Sequence, residues 1–313
     1  AAPCGRSIQI KQIGDIFMEI DRGELKFQAR ERMALTDPKF WVVALAYLAM
    51  TTGVSWVISL IPLPAGDASI IGSFFQLLLQ LYTTVVGFGL CLWSLWTYRQ
   101  LDPGLNSLMQ GFSVAGRVVL MELGIFVRVL GWYFLIVMAM TIPFAAMILS
   151  QTYYLIGFAG TLLLATVLVV SLIALALRYA MAPYLLADRP DDGPTAPIYR
   201  SAALMRGWKM ELFKLEFSFI GYDLINFLLS SLVLLALVGQ AGLLNDVNIL
   251  DPLWWTQVLS VIYSAPAVIL STLATVPINL RLIPYRSVAR AGFYDARMMA
   301  ASNGINRPEM PPL

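Results

Sequence analysis

The apolar positions of this chain do not alternate with polar ones; they run together in long blocks. Between Lys39 and Arg99 the only charge is Asp67, set in the turn-rich stretch Pro62-Leu63-Pro64-Ala65-Gly66-Asp67. From Val129 to Leu177 no residue is charged, and the polar group Ser150-Gln151-Thr152-Tyr153 divides that run. Leu224 to Asn245 and Pro252 to Leu280 are also free of charge, separated by a link carrying Asn245, Asp246, Asn248, Asp251 and Pro252. A helix rises about 1.5 Å per residue and the hydrocarbon core of a bilayer is about 30 Å thick, so these blocks suit membrane spans of about 20 residues. The pattern predicts six, near 40–61, 72–97, 129–149, 154–181, 217–239 and 255–283. Helices pair every backbone group internally, as hydrocarbon demands, and the blocks lack the period-two alternation of a barrel. The expected fold class is therefore all-α: a polytopic transmembrane bundle. It divides into a leader at 1–38, a six-helix transmembrane domain at 39–285 and a basic tail at 286–313.

Composition agrees. Of 313 residues, 59% are hydrophobic and 13% charged, where a soluble domain has about half and about a quarter. With no histidine, a Ser-His-Asp or Cys-His relay, a His-ligated zinc or haem iron and a histidine pH switch are all excluded. Cys4 and Cys91 are too few for a disulfide framework and read as thiols. No apolar segment precedes Cys4, so the leader shows neither a signal peptide nor a lipoprotein-type signal, and the start at Ala1 hints at processing or trimming.

Charge then sets an orientation, because short loops rich in lysine and arginine stay in the cytoplasm. Of the 21 basic residues, seven precede the first span, three (Arg99, Arg117, Arg128) follow the second, six lie between Arg178 and Lys214, and five between Arg281 and Arg307. The first, third and fifth connections carry only Asp67, Asp246 and Asp251. The expected location is the cytoplasmic membrane, with both termini in the cytoplasm. Trp41, Trp93, Trp96, Trp132, Trp254 and Trp255 fall near the expected span ends, where an amphipathic ring prefers the headgroup zone. Pro143, Pro266 and Pro277 fall inside spans and predict bends.

Two cytoplasmic stretches keep helical periodicity. Ile10, Ile13, Phe17 and Ile20 share one face of the leader, and a second amphipathic segment runs from about Leu25 to Leu35 before Asp37-Pro38. Each reads either as a helix lying on the inner leaflet or as a cap packed on the bundle. Leu108-Met109-Gln110-Gly111-Phe112 and Leu204-Met205-Arg206-Gly207-Trp208 share the pattern L-M-x-G-aromatic just ahead of a span. This is either a trace of duplication, making the chain three copies of a helix plus a two-span hairpin, or a chance match of five residues.

Three patches stand out in order: Tyr179-Ala180-Met181-Ala182-Pro183-Tyr184-Leu185-Leu186-Ala187-Asp188; then Ser201, Leu204-Met205, Gly207, Lys209, Leu212-Phe213, Leu215 and Ser218-Phe219-Ile220-Gly221; then Pro284-Tyr285 with Ala289, Phe293 and Tyr294. Together they resemble a bacterial family of integral membrane proteins known as domain of unknown function 975. The resemblance implies a multi-span membrane protein and supplies no reaction. Family members continue with aromatic and aliphatic residues after the glycine, whereas this chain has Tyr222-Asp223, so a role for Asp223 would be particular to it.

Lys209, Glu216, Asp223 and Ser230 recur every seven residues, forming one stripe on a continuous helix with Asn226 beside Asp223. Asp223 falls about 9 Å into the fifth span at 1.5 Å per residue. A carboxylate near the bilayer centre costs about 2.5 to 3.5 kcal/mol on insertion scales and finds a partner or water. The stripe is thus a candidate intramembrane polar site, a proton or cation site with Asn226 as the hydrogen-bond partner of Asp223 and with Lys209 and Glu216 at its mouth. Its bland counterpart is the wet stripe of a helix leaving the interface obliquely. Arg286, Arg290 and Arg297 share a face after Pro284 and are candidate contacts for an anion or lipid headgroup. Glu122 and Arg128, with Arg117, read as interfacial anchors, and Asp188, Asp191 and Asp192 as a solvated turn rather than a Mg²⁺ site.

No Walker loop, dinucleotide fingerprint, metal motif or nucleic-acid module is present, and no cofactor is called for. The expected partners are membrane lipids with either a small solute or another membrane protein. The reading is a membrane protein without a legible catalytic site, permeating a solute or lipid or serving membrane assembly or stress response. The competing class is a lipid-active enzyme using the inner-leaflet carboxylates Glu216, Asp223 and Glu122.

Overall fold

The computed structural model describes residues 22–59, 68–101, 103–149, 154–244, 247 and 251–302. The leader helix of Ile10 to Ile20, Cys4, the turn at Pro62 to Asp67, the break at Ser150 to Tyr153, the link residues Asn245, Asp246 and Asn248, and Arg307 lie outside the described residues. Within the described residues the chain is helical and contains no strand. The α-helices in chain order are α1 (Arg22–Ala34), α2 (Phe40–Leu48), α3 (Val54–Ser59), α4 (Ala68–Tyr98), α5 (Asn106–Gln110), α6 (Ala115–Leu149), α7 (Tyr154–Tyr179), α8 (Ala182–Asp188), α9 (Ala196–Leu204), α10 (Lys209–Phe217), α11 (Ile220–Gln240), α12 (Pro252–Ile262) and α13 (Ala265–Ser302). A π-helical turn, Ala49–Gly53, joins α2 to α3, and a 3₁₀ turn, Gly111–Val114, joins α5 to α6. Among the described residues six stretches are long and apolar enough to cross a membrane: Phe40–Ile58, Gly72–Tyr98, Asn106–Ile142, Ala159–Asp188, Ile220–Gln240 and Ala265–Ser302.

Residues 1–110 and 214–296 form one compact unit, and residues 111–213 and 297–313 a second. The first is organised around α4, whose inner half buries Val85, Val86, Phe88, Leu92, Trp93 and Leu95. Trp93 is fully enclosed by protein. Close packing there depends on Gly89, because a Cβ at that position would stand 2.3 Å from the carbonyl oxygen of Leu108. Cys91 is a buried thiol. Helix α1 is amphipathic as expected, and its stripe Leu25, Ala29 and Met33 is buried within this unit, so it packs on protein rather than lying free on a leaflet.

Two boundaries differ from the pattern-based reading. The expected sixth span is two helices: α12 has 11 residues, too few to cross about 30 Å, and the chain turns at Tyr263 and Ser264 before α13. Pro266 causes the break. It has no N–H to give the carbonyl of Ile262, but it is well tolerated in the first turn of a new helix. It therefore marks a start and not a bend. Helix α13 then continues through Pro277 and Pro284 for 38 residues, about 57 Å at 1.5 Å per residue, so its charged half from Arg281 extends beyond hydrocarbon thickness. The helix that carries the expected third span likewise begins before 129: α6 starts at Ala115 and includes Arg117, Glu122 and Arg128.

In the second unit α6 and α7 form the hairpin. Arg128 is anchored rather than lipid-facing: Nη1 donates to the Gly124 carbonyl at 2.7 Å and Nη2 to the Tyr199 hydroxyl at 3.2 Å. The turn after α8 is solvated, with Asp191 fully exposed near Arg117 and Asp192 paired with Arg200. The two L-M-x-G-aromatic patches each sit between short helical segments, but Gly207 takes φ +79° while Gly111 opens the 3₁₀ turn without a positive φ.

Candidate functional site

A group of charged side chains in the first unit surrounds the junction of α10 and α11. Helix α10 ends at Phe217, and at the break Ser218 donates its hydroxyl to the Leu215 carbonyl, 2.5 Å away, a local contact that serine offers to helical backbone. The carbonyl that this break releases at Ser218 accepts from Lys26 Nζ of α1 at 3.3 Å. The same ammonium lies 4.6 Å from the centroid of Phe219. Burial and the nearby charges of Arg30 and Arg22 hold the Lys26 ammonium below its usual pKa. Phe219, fully buried, meets Tyr285 edge to face at 5.1 Å, and the guanidinium of Arg30 covers Tyr285.

Glu216, one residue before the end of α10, is the centre of the group. Oε2 accepts from Arg286 Nε at 2.6 Å, and Oε1 accepts from Arg290 Nε. Burial by itself would raise the Glu216 carboxyl, but the hydrogen bond and charge of Arg290, joined by those of Arg286, outweigh it and hold the group below the usual carboxylate range. It stays ionised. Asp223, in the first turn of α11, stands 3.4 Å from Arg286 Nη1. Deeper along the same helices, Asn226 Nδ2 donates to Asn279 Oδ1 at 2.9 Å. At the far end of the unit's share of α13, Arg99 is bidentate on Asp295, and Tyr98 donates to Gln28 at 2.8 Å.

The expected stripe is therefore brought together only in part. Glu216 and Asp223 share Arg286, yet α10 and α11 are not one continuous helix, and Lys209 belongs to the second unit. The partner of Asn226 is Asn279 and the partner of Asp223 is Arg286; the expected Asp223–Asn226 pairing is replaced because a full guanidinium charge outcompetes a neutral amide for a carboxylate. Arg286 and Arg290 keep partly exposed guanidiniums. Arg297 is different: it is 3% exposed, donates to the Leu204 carbonyl at 3.0 Å and lies 4.2 Å from the Trp208 ring. Its position caps the C-terminal end of α9, where a cation is favoured, and it offers no surface to a headgroup. Lys26, Arg30, Phe219 and Tyr285 were not singled out as site residues, although Phe219 and Tyr285 lie in the patches that carry the family resemblance.

The fold and this layer define a multi-pass, all-helical membrane protein with a cluster of ion pairs at one end of its first unit. The chain belongs to the family of proteins of unknown function DUF975, whose sequence profile matches residues 18–299. No curated protein matches the chain, and no solved structure does.

Proposed function

We propose that this protein resides in the bacterial cytoplasmic membrane with both termini inside, and that it engages anionic lipid at the inner leaflet without catalysing a reaction on it. The observation that carries the reading is the charge balance around Glu216. Lys26, Arg30, Arg286 and Arg290 stand against Glu216 and Asp223, which leaves a cationic excess at the level where α13 outgrows the hydrocarbon core. Each cation near an anionic leaflet is worth about 1 kcal/mol of attraction. The same geometry disfavours Glu216 as a general acid, since a general acid needs a proton near neutral pH and Glu216 is held ionised by two arginines. Handling of membrane components, by permeation or assembly, fits better.

The test is lipid retention by the purified full chain in mixed nanodiscs of phosphatidylcholine and phosphatidylglycerol. Enrichment of phosphatidylglycerol around the wild type, lost when Lys26, Arg30, Arg286 and Arg290 are replaced together by glutamine, is the expected result. Equal retention of both lipids by the wild type would sink the reading.

A further inference from the structure

We propose that Arg286 and Arg290 form a two-guanidinium site for a phosphate-bearing anion, and that Glu216 is its positioning residue. This inference rests on the proposed engagement of anionic lipid and specifies where and how it occurs. Two residues four apart on a helix are neighbours, and like charges at that spacing repel. Here one carboxylate holds both in register: Oε2 takes the Nε of Arg286 and Oε1 the Nε of Arg290. Exposure runs the other way from the usual surface pair. The Glu216 side chain is 15% exposed, against 30% and 41% for the side chains of Arg286 and Arg290. The acid is the buried floor and the cations face outward.

A planar guanidinium carries five donors in a fixed fork that matches carboxylate and phosphate oxygens alike. Two guanidiniums side by side offer more donors than a carboxylate's two oxygens or a halide can take up, and the three acceptor oxygens of a phosphate ester suit them better. Asp223 does not fill this role itself. Among the described residues its carboxylate pairs with Arg286 alone, at 3.4 Å, and its side chain is 45% exposed. The Phe219–Tyr285 pair and the Lys26 contact to the Ser218 carbonyl secure the segment that carries Glu216, so the brace stands on a fixed base.

The proposal predicts a sign that simple charge counting reverses. Removing the negative charge of Glu216 should strengthen attraction for an anion if only net charge matters; it weakens binding if Glu216 positions the arginines. The experiment uses the full chain in nanodiscs of phosphatidylcholine with and without phosphatidylglycerol, with retained lipid counted by native mass spectrometry and the thermal midpoint recorded in phosphatidylcholine alone. Arg286→Gln and Arg290→Gln each lower phosphatidylglycerol retention about tenfold, the size of one lost charge-assisted contact. Glu216→Gln lowers it several-fold. Glu216→Asp, which keeps the charge but shortens the reach by one methylene, lowers it as well, and so remains informative if the glutamine variant fails to fold. Unchanged or increased retention in either Glu216 variant overturns the brace while leaving lipid engagement standing. Unchanged retention in both arginine variants overturns the site itself. Glycerol 1-phosphate added to phosphatidylcholine nanodiscs separates the sources: binding with the same Glu216 dependence, and no phosphatidylglycerol enrichment, supports the phosphate site and overturns a lipid as its occupant.

Discussion

Gly89 of α4 lies directly against the backbone of Leu108: a Cβ added there would meet the Leu108 oxygen at 2.3 Å and its carbonyl carbon at 2.8 Å. Backbone cannot swing aside as a side chain can, so Gly89→Ala should force α4 and α5 apart and cost about 1 to 3 kcal/mol. Gly87, two residues earlier, has nothing within 4 Å of its added Cβ. Gly87→Ala should be neutral or stabilise by up to about 1 kcal/mol through helix propensity. Thermal unfolding of the two variants in one detergent checks the contrast; equal midpoints would contradict the close approach.

The Glu216 ion pairs make stability fall on acidification. Its folded-state pKa is depressed, so the stabilisation is complete above the ordinary glutamate value of about 4.3 and is lost as pH drops through the lower folded value. Glu216→Gln should remove that acid-limb loss and lower stability near neutral pH by about 1 to 3 kcal/mol, the range for hydrogen bonds to charged groups. Melting curves from neutral to acidic pH read both effects, and an unaltered acid limb in the variant would argue that another carboxylate is responsible.

Asn226 and Asn279 pair across α11 and α13, and Asn226 Oδ1 is buried with no partner among the described residues. Asn226→Leu strands the Asn279 acceptor and should cost about 0.5 to 2 kcal/mol, the scale of interhelical polar contacts in membranes. Replacing both asparagines by leucine removes the stranded groups together, so the double variant should be more stable than the Asn226→Leu single variant. A double-mutant cycle measures the difference, and strictly additive losses would mean that the pair is uncoupled.

The spans were legible in the sequence because hydrocarbon imposes one simple demand, an uncharged run of sufficient length. Phe40 to Ser59, α4, α7 and α11 follow those runs closely. Apolarity could not reveal the break at Tyr263 and Ser264, since Pro266 interrupts a run without changing its hydropathy. Register along one helix is also readable, and spacing alone places Glu216 with Asp223 and Arg286 with Arg290 as two separate groups. Their union was not readable: Glu216 and Arg286 are 70 residues apart, and only tertiary packing decides that the second group neutralises the first. Arg297 shows the same limit from the other side. Its place on the arginine face suggested a headgroup contact, yet burial against Trp208 and the end of α9 makes it a helix cap.

Orientation is the claim on which the lipid reading depends, and accessible cysteine labelling measures it most directly. With Cys4 and Cys91 replaced by alanine, single cysteines are placed at Asp67, Asp251, Glu24 and Met299 in turn, and intact cells are treated with a membrane-impermeant thiol reagent. Labelling at positions 67 and 251, with 24 and 299 reached only after the cells are opened, is the predicted result. Labelling of 24 or 299 from outside intact cells would place the arginine layer on the wrong side of the membrane and contradict the account.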